Sequence, residues 1–395
     1  MKKILWISLR APYDSVLHAG GKVHNFYIKE FNKSNKFDIR LISFCYESEV
    51  SKLDLDRYNI TNDVYVIKKN VRLRNFFNRI GMPISLAEYL YIKKQIKQKL
   101  KELQKNSYMP DIVILHWTEI VMLFPRIKKI FPNSKIVAIE EDVTFLKLER
   151  KCRRSTGVKH ILTEVQRILI TRKELYALEN ADLAVLNNRK DHDLVISRGV
   201  PKDKLFIAVP YFENMANIIQ RKPKEGNIIF WGAMNRPENI EAVKWFTNHV
   251  FARLKDKYRV KFIVIGANPT QDVLKLAEMG VEVTGFVNSP WEYFESCMCM
   301  VVPLLMGAGI KIKVLEGMSA GIPILTNDIG IEGIPAEDGR HFIYCKSAQD
   351  YQEAIEHLIE DEQYGERIGK NAVKFVEDNF NMDKIQTFIE RVEGL

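Results

Sequence analysis

Four glycine-bearing turns hold the residues of this chain that are suited to handling an anion. The richest is Gly307-Ala308-Gly309-Ile310-Lys311-Ile312-Lys313-Val314-Leu315-Glu316, where a glycine turn runs into a helical pattern. Glycines let backbone N–H groups approach a ligand closely, and a helix N-terminus favours negative charge. Lysines in a first turn oppose the helix dipole, so a purely structural helix would carry Asp or Glu there. Lys311 and Lys313 therefore make sense with an anion such as a diphosphate at that terminus. Lys311 also has a plainer reading as a solvated surface lysine. Glu316, about one turn past Lys313, is placed to accept hydrogen bonds from ribose hydroxyls.

The other turns are simpler. Gly20-Gly21 lies between two apolar stretches in Leu17-His-Ala-Gly20-Gly21-Lys-Val-His24, but the chain there is not GxGxxG, so the dinucleotide fingerprint is absent. Gly232-Ala-Met-Asn-Arg236-Pro237-Glu-Asn239 follows a strand pattern and opens a helix with Pro in its first turn. Gly285-Phe286-Val287 closes a strand pattern before Asn288-Ser289-Pro290. Glu140-Glu141-Asp142 ends another strand pattern, where carboxylates can orient acceptor hydroxyls or cap the next element. Asp54-Leu-Asp56 sits in a polar stretch and reads as a surface turn, since oxygen-ligand metal sites need more convergent groups. Cys297 and Cys299 read as small apolar packing residues.

These turns need strands and helices to hold them. Lys3–Ser8, Ile39–Ser43, Val64–Ile67, Ile112–Leu115, Ile136–Ile139 and Leu183–Leu186 are short, β-rich and without polar alternation, as strands covered on both faces are. The second half repeats the pattern at Ile228–Trp231, Phe262–Ile265, Val281–Thr284, Met300–Leu304, Ile322–Thr326 and Phe342–Tyr344. Helical patterns fall at Glu238–Leu254, Val273–Met279, Lys313–Ala320, Tyr351–Ile359 and Ile368–Asn379. Strand–helix alternation repeated twice argues for two parallel-sheet, Rossmann-like domains in tandem. The polar segment Pro210–Asn227, with two prolines, reads as the linker.

Composition narrows the classes. The chain has 395 residues, 46% hydrophobic and 28% charged, which excludes a disordered or low-complexity protein. Five cysteines without CxxC spacing give neither a disulfide framework nor a zinc site. The apolar start is broken at Arg10, too early for a signal peptide, and no run is long enough to span a bilayer. A reduced, cytoplasmic protein is expected. The net charge of +9 divides unevenly. Residues 1–215 carry 39 basic and 24 acidic side chains, a balance of +15, and the remainder carry 20 and 26, a balance of −6. Such asymmetry points to an anionic partner for the first half.

The stretch GAGIKIKVLEGMSAGIPILTNDIGIEGI, with VEVTGFV, MVVPL and IIFWGAMNRPEN before it, strongly resembles family-four glycosyltransferases of the GT-B fold. The resemblance runs through most of the second half and, more loosely, through the strand–Gly-Gly–helix and PDIVILH of the first. It implies two facing Rossmann-like domains: residues 1–212 as an acceptor-binding domain and 213–380 as a nucleotide-sugar-binding domain. A last helix, 381–395, would cross back to the first. It also implies a retaining enzyme that needs no metal or other cofactor and draws its sugar from a nucleoside diphosphate. On that pattern Glu316 matches the second Glu of the family's E-x7-E motif, and Ala308 stands where the first would be, so Gly307–Ile310 backbone groups are candidate substitutes. Lys313 matches a diphosphate-binding lysine. The usual Arg and Lys after Gly232 are replaced by Ala233 and Glu238, leaving Arg236 as the nearest cation. Gly285, Phe286 and Val287 match the loop that holds the base, Gly20 and Gly21 the loop near the donor phosphates, and His116 a histidine near the reacting sugar. Lys313, Arg236 and His116 are thus the catalytic candidates. The Asp54–Asp56 pair looks like the metal motif of the other glycosyltransferase fold, in the wrong surroundings.

The implied partners are a nucleotide-sugar and a glycan or lipid-linked acceptor, in surface polysaccharide or glycolipid synthesis. No helix-turn-helix, zinc or RNP-like signature supports nucleic acid. A membrane-surface role at the inner face of the cell membrane is carried by Val71–Met82, with arginines 72, 74 and 79, and by Leu90–Asn106. The plainer reading of Leu90–Asn106 is a sheet-covering helix with a solvated basic side. The alternatives on the same architecture are an epimerase or hydrolase, or a non-catalytic binder of sugar nucleotides.

Overall fold

The computed structural model describes residues 1–16, 19–68, 85–153, 155–208, 211–223, 226–307, 309–381 and 384–395. The arginine-rich segment Val71–Met82 and Ala308 lie outside them. The chain divides into two compact units, Met1–Val209 with Asp383–Leu395, and Pro210–Met382. Helices of eight residues or more are α1 (Ala19–Lys33), α2 (Ser85–Lys105), α3 (Thr144–Arg153), α4 (Gly157–Asn180), α5 (Arg189–Ser197), α6 (Pro237–Phe246), α7 (Ile312–Ser319), α8 (Ala348–Glu360), α9 (Glu362–Asn379) and α10 (Lys384–Glu393).

The first unit is built on a parallel sheet of β1 (Lys2–Ser8), β2 (Phe37–Tyr46), β3 (Thr61–Ile67), β4 (Ile112–His116), β5 (Lys135–Glu140), β6 (Leu183–Leu186) and β7 (Leu205–Ile207). Their order is β3-β2-β1-β4-β5-β6-β7, so the winding reverses between β1 and β4. The unbroken apolar runs are explained by burial on both faces: Ile4–Ile7, Val113–Leu115 and Ile136–Ile139 are wholly out of water. One face is covered by α2, whose Ile92, Ile96, Leu100 and Leu103 recur at helical spacing and enter the core. Each buried side chain of that size contributes roughly 1.5–3 kcal/mol. The apolar side of Leu90–Asn106 is therefore spent on the sheet. Lys99, on the same helix, is buried against Asp63 and Glu102, both 2.8 Å away. α10 belongs to this unit through Phe388, fully buried among the rings of Tyr27, Phe31 and Phe206.

The second unit holds the parallel strands β8 (Asn227–Trp231), β9 (Lys261–Ile265), β10 (Glu282–Gly285), β11 (Cys299–Val302), β12 (Ile324–Thr326) and β13 (Ile343–Tyr344). The order β10-β9-β8-β11-β12-β13 reverses between β8 and β11. Two expectations need correction here. The segment from 211 to 223 is not a free linker: Phe212, Met215 and Ile219 are buried, and Arg221 donates to the carbonyls of Phe294 and Cys297. Phe212, Met215 and Ile219 point inward while Ile218 faces out, an anchoring that polarity alone hides. The helix expected over Glu238–Leu254 is interrupted by a π-turn at Thr247–Phe251. The buried Thr247 hydroxyl there donates to the Val243 carbonyl, a local bond that competes with the regular ladder. Cys297 and Cys299 are buried and free, as packing residues are.

Candidate active site

In open parallel sheets ligands bind beyond the C-terminal ends of the strands, where the winding reverses. In the second unit that place lies between β8 and β11, and it is occupied by a connected polar group. Lys313, in the first turn of α7, donates from Nζ to Asn239 Oδ1 at 2.7 Å, and Asn239 Nδ2 donates to the Ala233 carbonyl at 2.8 Å. Pro237 starts α6 and so sets Asn239 in its first turn, where this double contact is possible. The Lys313 ammonium also lies over the Phe230 ring, 4.2 Å from its centroid. Gly232, at the end of β8, is required by this approach. A Cβ there would stand 2.6 Å from Lys313 Nζ and 2.8 Å from Asn239 Nδ2, at a φ of +155°. Burial, with Arg236 and Lys311 nearby, pulls the Lys313 pKa down to about 7.

Around this centre the remaining candidates take varied positions. Glu316, expected to meet ribose hydroxyls, is only 4% exposed, and its Oε2 accepts from the Trp231 indole N–H at 2.9 Å. Lys311 is not a solvated lysine: its side chain is 10% exposed, 3.7 Å from Glu332 and bonded to the Gly309 carbonyl. Its long stem folds back over the glycine turn, which spacing alone does not reveal. Arg236 is half exposed and paired with Glu238 at 2.8 Å. Gly285 has a φ of 69°, a conformation suited to glycine, and delivers Phe286 to the surface, where it is 64% exposed beside Val287. Gly307 and Gly309, with φ values of 143° and 70°, precede Ile310 on the way into α7.

In the first unit the reversal between β1 and β4 gathers a second group. His116 ends β4, is fully buried and bonds through Nε2 to Glu141 Oε1 at 2.6 Å. Glu141 also accepts from Asn187 Nδ2 at 3.0 Å, beyond the end of β6. Burial pushes both members toward their neutral forms, His116 down to about 3 and Glu141 up to about 8. At neutral pH the shared proton therefore sits on Glu141, which donates to Nε2. His116 then keeps its proton on Nδ1, a buried atom without a partner among the described residues. Trp117, at a φ of 77°, stacks on His116 with ring centroids 4.2 Å apart. A positive φ at such a residue costs about 1–3 kcal/mol and concentrates at functional sites. Gly20, in the first turn of α1, sits so close that an added Cβ would be 3.3 Å from both Glu141 Cγ and Trp117 Nε1. Gly21 follows it in the same turn.

The three consecutive acids divide. Glu140 is a correction: it turns into the interior, 1% exposed, and accepts from the Thr118 hydroxyl at 2.6 Å. Burial and the nearby Glu174 hold its carboxyl well above the usual range, so it is a structural group and not an acceptor contact. Asp142 is partly exposed after the strand. The Asp54–Asp56 pair lies on an exposed turn, where Asp54 meets Arg57 at 3.2 Å. Among the described residues no group of three or more His, Cys, Asp or Glu is arranged to hold a metal ion.

The family model for glycosyl transferases, group 1, matches residues 225–361. Over these residues the chain is similar to the group 1 glycosyl transferases. A 44.6 kDa protein from the cps region of Klebsiella pneumoniae is 21% identical, with 98% of each chain covered. Among solved structures, HepE of Anabaena in complex with UDP is 13% identical over all of both chains, with a TM-score of 0.70. The lipopolysaccharide outer core galactosyltransferase WaaB is 16% identical over 99% of both, with a TM-score of 0.64. The architecture is thus the GT-B fold. In the glycosyl transferase segment, Phe230, Trp231 and Asn239 lie at the centre of the group, although only the lysine and glutamate stood out by type. Pro237 is the signal that placed Asn239 in a first turn. In the first unit Asn187 and the strained Trp117 carried no such signal.

Proposed function

We propose that the chain moves a sugar from a nucleoside-diphosphate-sugar to a glycan or lipid-linked acceptor during surface polysaccharide synthesis. The observation that carries this reading is the Lys313 ammonium, fixed by Asn239 at the start of α7 where the second sheet reverses. Breaking the anomeric C–O bond leaves an oxocarbenium-like sugar and a diphosphate gathering negative charge. Lys313 and the backbone N–H groups from Gly309 onward meet that charge without rearranging, the arrangement that contributes most to many enzymic rates. Arg236 adds a second cation at the surface. The exposed Phe286 beside Gly285 supplies a flat apolar face for a base. The resemblance puts His116, oriented by Glu141, near the reacting sugar.

The transfer proceeds with retention. The departing phosphate takes the acceptor's proton, so no carboxylate nucleophile is required and Glu141 can stay protonated. The charge is handled by Lys313 and N–H dipoles, so the reading calls for no metal. HepE's complex with UDP supports a uridine nucleotide as the first donor to test, and the cps-region relative supports a capsule-like product.

The test is release of nucleoside diphosphate from UDP-, GDP- and ADP-sugars, followed with and without candidate acceptor glycans. One donor should be consumed by the wild type, with sugar appearing on an acceptor. Lys313→Ala should lower kcat by roughly 10²-fold or more at saturating donor, the loss seen for one preorganised donor. Turnover near wild type in that variant would remove Lys313 from the mechanism. Consumption without transfer to any acceptor would point to a hydrolase.

A further inference from the structure

The hairpin of α3 and α4 in the first unit carries an apolar surface that no other part of the described chain covers. On α4, Val158, Ile161, Val165, Ile168 and Leu169 are each more than half exposed, and Tyr176 continues the line. Their spacing of three and four residues puts them on one side of the helix. The stripe from Val158 to Leu169 runs roughly 17 Å, at about 1.5 Å per residue. The opposite side of α4 is also committed to packing, with Thr163, Ala177 and Leu178 buried. A helix apolar on both sides normally lies inside a protein. Here one side faces water, and so many neighbouring exposed apolar residues mark an interaction surface.

Charge identifies what covers it. Exposed basic residues stand on the same hairpin: Lys147, Lys151 and Arg153 on α3, and Arg172 and Lys173 on α4. The hairpin has four acidic residues. Glu149 and Glu164 are tied to Arg198 and Arg167, and Glu174 is buried, which leaves Glu179 exposed. A second copy of the chain would bring the same basic set against itself. An anionic lipid surface satisfies both features, taking the apolar stripe among its acyl chains and the hairpin's cations among its phosphates. No described helix is long and apolar enough to cross a membrane, which fits a helix lying on one.

We propose that the outer side of α4 is the docking surface of this chain for an anionic bilayer. The inference goes beyond sugar transfer and does not depend on it. It also moves the membrane contact expected near Leu90–Asn106, whose apolar side the sheet takes, to a different helix.

The experiment is co-sedimentation of the full chain with phosphatidylcholine vesicles containing or lacking phosphatidylglycerol, at low and high salt. The wild type should bind the anionic vesicles at low salt, bind the neutral ones weakly and be released as salt rises. Neutralising Lys151 and Arg172 to Gln should weaken partitioning about five-fold per charge. Val165→Glu with Ile168→Glu should cost about ten-fold or more in partitioning. Both changes are at the surface, so an unchanged Tm shows that the fold is intact. Absence of wild-type binding at low salt, or equal binding by the doubly acidic variant, would overturn the proposal. So would a wild-type dimer in sedimentation velocity that this variant dissociates.

Discussion

Binding of a diphosphate should be accompanied by proton uptake at Lys313. In the free protein burial, Arg236 and Lys311 hold its pKa down to about 7, so the ammonium is about one-tenth populated at pH 8. A bound diphosphate supplies opposite charge and drives the group back toward its ordinary protonated state. At pH 8 UDP should therefore bind with uptake of about 0.9 proton. The sign follows from linkage: affinity should fall up to ten-fold per unit above pH 7. Calorimetric titration of UDP in buffers of differing ionisation enthalpy reads the uptake directly. Lys313→Met should remove it. Asn239→Asp places a carboxylate 2.7 Å from Nζ, charges Lys313 beforehand, and should also abolish uptake at pH 8. Tight UDP binding at pH 8 with no proton uptake, or uptake that persists in Lys313→Met, would refute the reasoning.

The glycine that follows β8 should be needed for both folding and donor use. Gly232→Ala sets a Cβ 2.6 Å from Lys313 Nζ and 2.8 Å from Asn239 Nδ2 at a φ of +155°, so denaturant titration should show a loss of about 1–3 kcal/mol and calorimetry a marked loss of UDP affinity. Glu141 has a raised folded-state pKa of about 8, so the folded protein holds an extra proton between the ordinary carboxylate pKa and pH 8. Stability should fall as pH rises through that window and level off above it, and Glu141→Gln should flatten the decline in Tm measured from pH 5 to pH 9. Replacing the exposed Phe286 with Ala should raise the KM for the nucleotide-sugar several-fold while leaving kcat and Tm near wild type, as measured by steady-state kinetics and thermal melts.

Much of the fold was legible because its strands are buried on both faces. Ile112–Leu115 and Ile136–Ile139 cannot be anything but interior, and their repetition with helices between them leaves few architectures. β7 was missed because Leu205–Ile207 is three residues long and only partly covered. The π-turn at Thr247 was hidden because it depends on one hydroxyl choosing a carbonyl. The site was readable where a residue type is odd for its place, as Lys313 is in a helix's first turn. It was unreadable where an ordinary residue gains meaning from its neighbours. Asn239 matters because it holds Lys313, Trp231 because it holds Glu316, and Glu141 because Gly20 lets α1 close against it. Glu140 and Glu141 are adjacent and identical, yet strand alternation sends one into the core and the other to His116.

The decisive measurement is a crystal structure of the chain soaked with the nucleotide-sugar it consumes, or with UDP. The diphosphate should lie at the start of α7, within hydrogen-bonding distance of Lys313 Nζ and the backbone N–H groups near Gly309, with the base beside Phe286. A nucleotide seated elsewhere, or a diphosphate out of reach of Lys313, would contradict the assignment of the second unit as the donor site.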